Sequence, residues 1–349
     1  MCIRDRLYIS SLGIYNAYVN GQEVLAGEVD DTFNPGWTDY FHYVNYQTYD
    51  ITDYIDDSEL AIGVMVGNGW YAGNIGTVAN YQSIGDPDVS ELALIAKAVV
   101  TYTDGTKEVI STNTTDWKSS DESPVLSNDF FDGTSYDARI AAQVAGWNDI
   151  GYDVSGWDEV AKFDYTGELR PSSKAAASVD ETTTHQPIGG EDCFKYSQIE
   201  KPVSEGGTSE YATGHVVKQP VDTTGDMTIQ PGETLILDMG QNKAGVMDLT
   251  ASAAAGTTMK IRHAEMLNDG KLNPEIEKGG SDGPKGSIYT VALTSAKVTD
   301  QYTFAGTGDE VFKPDFTFHG FRYVEITADA EVTIKRAESK DVYKRQMWT

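Results

Sequence analysis

The stretch ELALIAKAVVTYTDGTKEVI, residues 91–110, decides the fold class. Leu92, Leu94, Ala96, Ala98, Val100 and Tyr102 occupy alternate positions. Successive side chains of a β-strand point to opposite faces, so these residues line one apolar face of an extended segment running from about Glu91 to Thr103. Asp104-Gly105 then supplies the positive φ that a tight turn requires, and Val109 and Ile110 carry the returning strand.

The same grammar extends toward the N-terminus. Tyr15, Ala17 and Val19 share a face ahead of the turn dipeptide Asn20-Gly21. Ile62, Val64 and Val66 repeat it before the glycine-rich GNGWYAG at 67–73. No window sustains the i, i+3, i+4, i+7 spacing of a long amphipathic helix. Short alternating strands joined by turns predict an all-β fold built from antiparallel β-sandwiches of jelly-roll type.

At 349 residues the chain is long enough for more than one core. Alternation fades between about Gly167 and Thr213, where Ser, Thr, Glu, Gly and Pro dominate, and the stretch 168–213 reads as a linker with room for one short strand. Alternation returns at 234–239, 246–251, 257–265, 288–293, 300–304 and 321–326. The expected organisation is a first sandwich over 7–167 and a second, concanavalin-like sandwich over 214–337. Residues 1–6 (MCIRDR) and 341–346 (DVYKRQ) fit neither adjoining pattern and are expected to be non-native flanks on a fragment.

Bulk charge narrows the partners. The chain holds 54 acidic against 26 basic residues, a formal net charge of −28, and such a field repels phosphate backbones and anionic lipid surfaces. Neither nucleic acid nor a membrane is expected as partner, whereas neutral ligands such as sugars are compatible. Two cysteines, Cys2 and Cys193, build no disulfide framework and no thiolate metal site. No cofactor is expected. An acidic, cysteine-poor chain favours an extracellular over a cytoplasmic location.

Candidate chemistry lies on two aromatic, glycine-rich loops, NPGWTDY at 34–40 and GNGWY at 67–71. Sugars stack their C–H faces on aromatic rings while amides bond their hydroxyls, which makes Trp37, Tyr40, Asn68, Trp70 and Tyr71 candidate substrate contacts. A packing role for these aromatics ranks ahead of the sugar role. His263 and Glu265 in RHAEM stand two apart on a strand and would share a face, but two ligands do not make a metal site. In HGFRYVEI, alternation sets His319, Phe321, Tyr323 and Glu325 opposite Gly320, Arg322, Val324 and Ile326, with Arg322 salt-bridged at the margin. GQNKAG, 240–245, reads as a turn. The G-x-S-x-G elbow, the Walker loop, H-E-x-x-H and the dinucleotide glycine fingerprint are absent, and no catalytic pair is named.

Taken in order, these segments resemble the bacterial α-L-rhamnosidases of glycoside hydrolase family 78. The first region carries YISSLGIYNAYVNGQEV (8–24), FNPGWTDY (33–40), YQTYDIT (46–52), GNGWYAG (67–73), YDAR (136–139) and the later Gly146-Trp147. The second carries LDMGQNKAG (237–245), IRHAEMLNDGKL (261–272) and FTFHGFRYVEI (316–326). The stretch from Arg170 to Val217 and both ends depart from the family's pattern. The resemblance implies hydrolysis of terminal α-L-rhamnose with inversion, by acidic residues on a helical domain that would follow Ala337 in cis. It also implies rhamnose-containing glycans or glycosides as substrates, and no residue of this chain takes the catalytic roles. A stand-alone carbohydrate-binding β-sandwich is the competing expectation.

Overall fold

The computed structural model describes residues 4–24, 32–55, 59–74, 91–172, 177–201, 213–270 and 282–344. The hairpin read from residues 91–110 is present: strands Ala93–Thr101 and Lys107–Ser111 pair antiparallel with Val99 opposite Val109. Ala96, Ala98 and Val100 are buried while Ile95 is exposed, which is the alternation the sequence demanded. The strand begins after Leu92, which is 38% exposed.

This hairpin lies in a five-stranded sheet ordered Glu168–Pro171, Tyr43–Asp50, Arg6–Leu12, Ala93–Thr101, Lys107–Ser111. A three-stranded sheet of Gln22–Glu23, Ile14–Val19 and Ile62–Gly67 forms the second layer. Its turn is Asn20-Gly21, with φ of 49° and 81°. A Cβ on Gly21 would meet Asp149 Oδ1 at 2.1 Å, so this position needs both the left-handed backbone and the missing side chain. Leu7, Ile9, Ala96 and Ala98 from one sheet pack with Tyr15, Ala17 and Val19 from the other. The buried Tyr15 hydroxyl donates to Gln47 Oε1 at 2.8 Å, and Asn34 Nδ2 donates to the Tyr49 hydroxyl at 2.9 Å.

Most described strands of the second region belong to one twelve-stranded sheet, and Ile199–Glu200 pairs separately with His215–Val216. The main path of the large sheet runs Ala177–His185, Val332–Lys344, Thr234–Ala253, His319–Ala328, Thr258–Ala264, Thr299–Thr303, Gly133–Asp137, Val125–Asp129. Strands along this path contribute Leu235, Leu237, Leu249, Ile261, Phe321, Ile326 and Ile334 to a single core, joined by Phe304 just past the end of Thr299–Thr303.

Several sequence expectations are corrected here. GQNKAG is no turn. Thr234–Ala253 runs straight through it, and the register against His319–Ala328 jumps from Asp238↔Tyr323 to Lys243↔Phe321, so residues 239–242 bulge out of a continuous strand. The bulge also resets the face: Phe321 and Val324, of opposite parity, enter the same core. Residues 288–293 are no strand but a bridge at Ile288 and a short 3-10 turn at Val291–Leu293.

The stretch 168–213, expected as a linker, carries paired structure. Glu168–Pro171 adds in parallel to Tyr43–Asp50, Ala177–His185 pairs with Val332–Lys344, and Phe194–Tyr196 pairs with Thr234–Ala253. The polar composition hid these strands because Glu168–Pro171 and Ala177–His185 are sheet edges. Only Ser178 and Val179 of Ala177–His185 are fully covered. Of the flanks set aside as foreign, 1–3 and 345–346 lie outside the described residues, and the described parts pair: Arg6 opens the strand Arg6–Leu12, the Asp5 carboxylate accepts from the Thr101 amide at 2.8 Å, and 341–344 continue the last strand. Backbone pairing tolerates almost any side chain, which is why an unfamiliar sequence is admitted there.

Candidate functional site

The two aromatic loops meet where the first region hands a hairpin to the second. Val125–Asp129 and Gly133–Asp137 precede residue 167, yet Gly133–Asp137 pairs in parallel with Thr299–Thr303. Amides of Val298 and Thr299 donate to the carbonyls of Phe131 and Asp132, both at 2.9 Å. The Thr317 hydroxyl donates to the Asp129 carbonyl at 2.9 Å, and the Thr134 hydroxyl to the Asp315 carbonyl at 2.7 Å. Beneath these bonds Ile14, Phe33, Phe130, Val179, Val246 and Phe316 form an apolar core drawn from both regions.

The GNGWY loop is built to hold that hairpin. The Asn68 amide donates to Asn128 Oδ1 at 2.7 Å while Asn68 Nδ2 donates to the Asn128 carbonyl at 2.9 Å. Gly67 is required because a Cβ there would lie 2.7 Å from Asn128 Oδ1 and 2.9 Å from the Phe316 ring. Trp70 lies on Phe130 with centroids 4.4 Å apart, and Trp37 stacks on Trp70 at 5.1 Å.

The five proposed sugar contacts therefore separate. Tyr40 and Tyr71 are 4% exposed and pack edge to face in the core with Leu12 and Val44, so neither can stack on a sugar. Asn68 spends its side-chain donor on Asn128, and Trp70 is sandwiched between two rings. Trp37, 53% exposed, alone among the five presents a large open surface.

The shared strand face expected of His263 and Glu265 is not formed. The strand ends at Ala264, so the alternation stops before Glu265, which is exposed and accepts from Asn242 Nδ2 at 3.2 Å. His263 is buried beside a partner that sequence spacing did not reveal, Asp300, with His319 completing the group. His319 Nε2 lies 3.1 and 3.2 Å from the two Asp300 oxygens, and the Thr134 amide donates to Asp300 Oδ1 at 2.9 Å. Burial, then the neighbouring His319, drives the His263 pKa down to about 3 against the pull of Asp300, so its imidazole is neutral.

The other deeply buried carboxylates serve the fold. Asp238, fully covered, takes Arg322 at 2.9 and 2.8 Å, which gives the salt bridge expected of Arg322 a partner the sequence did not name, and also accepts from the Gly240 amide inside the bulge. Asp248 pairs with Arg336, and Asp137 with Arg139. Glu325 is pushed up by burial, yet it remains paired with Arg262 at 3.0 Å. Among the described residues no helix is long and apolar enough to cross a membrane.

What the sequence reading missed is Asn128–Gly133 (NDFFDG) as the docking element. Its signal was two adjacent phenylalanines between acids and before an Asp-Gly turn. The partners of that hairpin lie far away in sequence, so no local pattern announces them.

Comparison with known proteins matches this arrangement. The α-L-rhamnosidase N-terminal domain matches residues 2–181, and the bacterial α-L-rhamnosidase concanavalin-like domain matches residues 228–347. An α-L-rhamnosidase of Streptomyces avermitilis is 37% identical over 324 residues, covering 93% of this chain and 25% of the relative. One from Formosa agariphila is 30% identical, covering 94% of this chain and 29% of its own length. The chain thus spans about a quarter of the length of the relatives it matches. The crystal structure of the Streptomyces avermitilis α-L-rhamnosidase complexed with L-rhamnose superposes over 100% of this chain and 28% of its own, with TM-score 0.72 and 31% identity. That of the Aspergillus terreus enzyme covers 99% and 33%, with TM-score 0.67 and 28% identity. Two domain matches in chain order, joined in the structure by a shared sheet, leave one assignment: the chain belongs to the bacterial α-L-rhamnosidase family, carrying its N-terminal and concanavalin-like domains.

Proposed function

We propose that this chain is the scaffolding and carbohydrate-facing part of an enzyme that hydrolyses terminal α-L-rhamnose from glycosides or polysaccharides with inversion. The observation that carries the reading is the ordered pair of rhamnosidase domains on one chain, fused by the hairpin 125–137. Inverting hydrolysis needs a carboxylic acid to protonate the leaving oxygen and a carboxylate roughly 6.5–9.5 Å away to activate water. The buried carboxylates named above are held by arginine, histidine or backbone partners, which supports placing the catalytic pair on a further, helical domain in cis. Trp37 takes the sugar-contact role, because it is the candidate whose ring remains open.

The test compares this 349-residue chain with the complete product of its gene on an aryl α-L-rhamnoside. The complete protein releases the aryl group and the chain alone stays at the no-enzyme blank. Turnover by the chain alone, lost when one of its own carboxylates is neutralised, would overturn the assignment.

A further inference from the structure

We propose that His263, Asp300 and His319 form a buried divalent-metal site of the zinc class, placed where the hairpin of the first domain joins the sheet of the second.

Three strands converge to make it. His263 comes from Thr258–Ala264, Asp300 from Thr299–Thr303 and His319 from the start of His319–Ala328. One ligand atom from each lies within 4.8 Å of the others, and all three residues are buried. The side chains of His263, Asp300 and His319 are 0%, 1% and 1% exposed.

The hydrogen bonds around the group leave one position open. His263 Nδ1 faces the Val298 carbonyl at 3.3 Å, an acceptor, so Nδ1 carries the proton and Nε2 carries a lone pair. That Nε2 has no hydrogen-bond partner among the described residues although it is wholly buried, and it lies 4.0 Å from Asp300 Oδ2. A lone pair facing a carboxylate in a dry interior is unfavourable unless a cation stands between them. An imidazole whose far nitrogen donates to a backbone carbonyl is also the arrangement that orients histidine ligands toward metals.

The dimensions suit zinc. Bonds of about 2.0–2.1 Å in tetrahedral geometry place neighbouring ligand atoms about 3.4 Å apart. The observed separations, 3.1 Å for His319 to Asp300 and 4.0 Å for His263 to Asp300, bracket that value. Two imidazoles and one carboxylate are a borderline donor set, unlike the all-oxygen shells that calcium and magnesium prefer. The role would be a clip. Asp300 also accepts from Thr134 of the hairpin, so holding Asp300 holds the junction between the domains.

The experiment uses the whole chain, stripped with a chelator, with cobalt(II) added both to the folded protein and during refolding. The expected result is one equivalent bound with the intense visible absorption of tetrahedral cobalt, displaced by zinc(II), and a higher Tm. His263→Gln keeps a polar group and leaves the Asp300–His319 pair intact, and it should weaken binding by at least ~10-fold and lose the tetrahedral spectrum. A His42→Ala, His215→Ala double variant removes two solvent-accessible histidines and should retain the spectrum. Circular dichroism establishes that each variant is folded. If His263→Gln does not fold, the wild-type spectrum and the double variant decide. A wild-type chain that yields no tetrahedral spectrum, a spectrum that survives His263→Gln, or one lost in the double variant overturns the proposal.

Discussion

Replacing Trp70 by alanine removes the middle ring of the Trp37–Trp70–Phe130 stack. Trp70 lies 4.4 Å from Phe130 and 5.1 Å from Trp37 in near-parallel geometry, with Phe131 edge-on at 6.0 Å. Truncating a buried Phe or Trp to Ala costs roughly 3–5 kcal/mol, and Trp70, only partly covered, belongs at the lower end of that range. The expected loss, including the stacking it shares with Phe130, is about 3 kcal/mol. Trp37→Ala removes an outer ring that is already 53% exposed, and its loss should be about 1 kcal/mol. Urea unfolding followed by far-UV circular dichroism measures both variants under the same conditions. Because Phe130 belongs to the hairpin that joins the two sheets, the Trp70 variant should lower the midpoint for the molecule as a whole. The reasoning is refuted if Trp70→Ala costs less than Trp37→Ala, or if Trp70→Ala leaves the midpoint unchanged while binding of a rhamnosylated ligand disappears.

Arg322→Ala strands the fully buried Asp238 carboxylate at the edge of the bulge, and uncompensated burial of a charge predicts destabilisation of about 3 kcal/mol in a denaturant titration. Asp238→Asn combined with Arg322→Ala should recover part of that loss, and no recovery would mean the carboxylate is not what the arginine serves. Glu310 gives the pH-dependent case. Burial alone would raise its pKa, but the amides of Ala305, Thr307 and Gly306 and the Tyr302 hydroxyl hold it below the ordinary glutamate value. A carboxyl depressed in the folded state contributes stability above its unfolded pKa and loses it as pH falls through the folded value. Wild-type Tm should therefore drop through the acidic range below about pH 4.3 more steeply than that of Glu310→Gln, and parallel curves would remove Glu310 from the account.

Strand content was legible where a long strand buries one face, as at Ala93–Thr101, because solvent then writes the alternation into the residues. It was illegible where a strand lies at a sheet edge: Ala177–His185 buries almost nothing past Val179 and reads as polar linker. The bulge at 239–242 hid for another reason. Glycine and amide residues permit a turn and a bulge equally, and only the partner strand chooses between them. At the site, aromatic and amide residues were legible as special, but which ring faces solvent was not. That depends on Phe130, which reaches Trp70 from a separate hairpin 60 residues on, as the Asn68–Asn128 bonds record. His263 and Asp300 illustrate the same limit, since their contact exists only once Thr258–Ala264 and Thr299–Thr303 lie side by side.

The shared hairpin has a consequence for how the two domains act. Two sandwiches joined by a flexible segment would leave the position of any sugar-facing ring on one undefined relative to the other. Here the connection is a strand ladder. Ser135 faces Gln301 and Tyr136 faces Tyr302 in register, and the Tyr136 and Tyr302 rings stack at 5.7 Å with 7° between their planes. Slipping that ladder by one residue would turn Tyr136 away from the second core and bring Ser135 into its place. The register is therefore fixed by packing as well as by hydrogen bonds. Through Phe130 and Trp70 the same hairpin sets the position of Trp37, so the open ring of the first domain is located by the sheet of the second. A ring held by two domains is positioned more tightly than one carried on a loop of either, and positioning of that kind is what an accessory surface needs if it is to present a glycan to chemistry performed elsewhere.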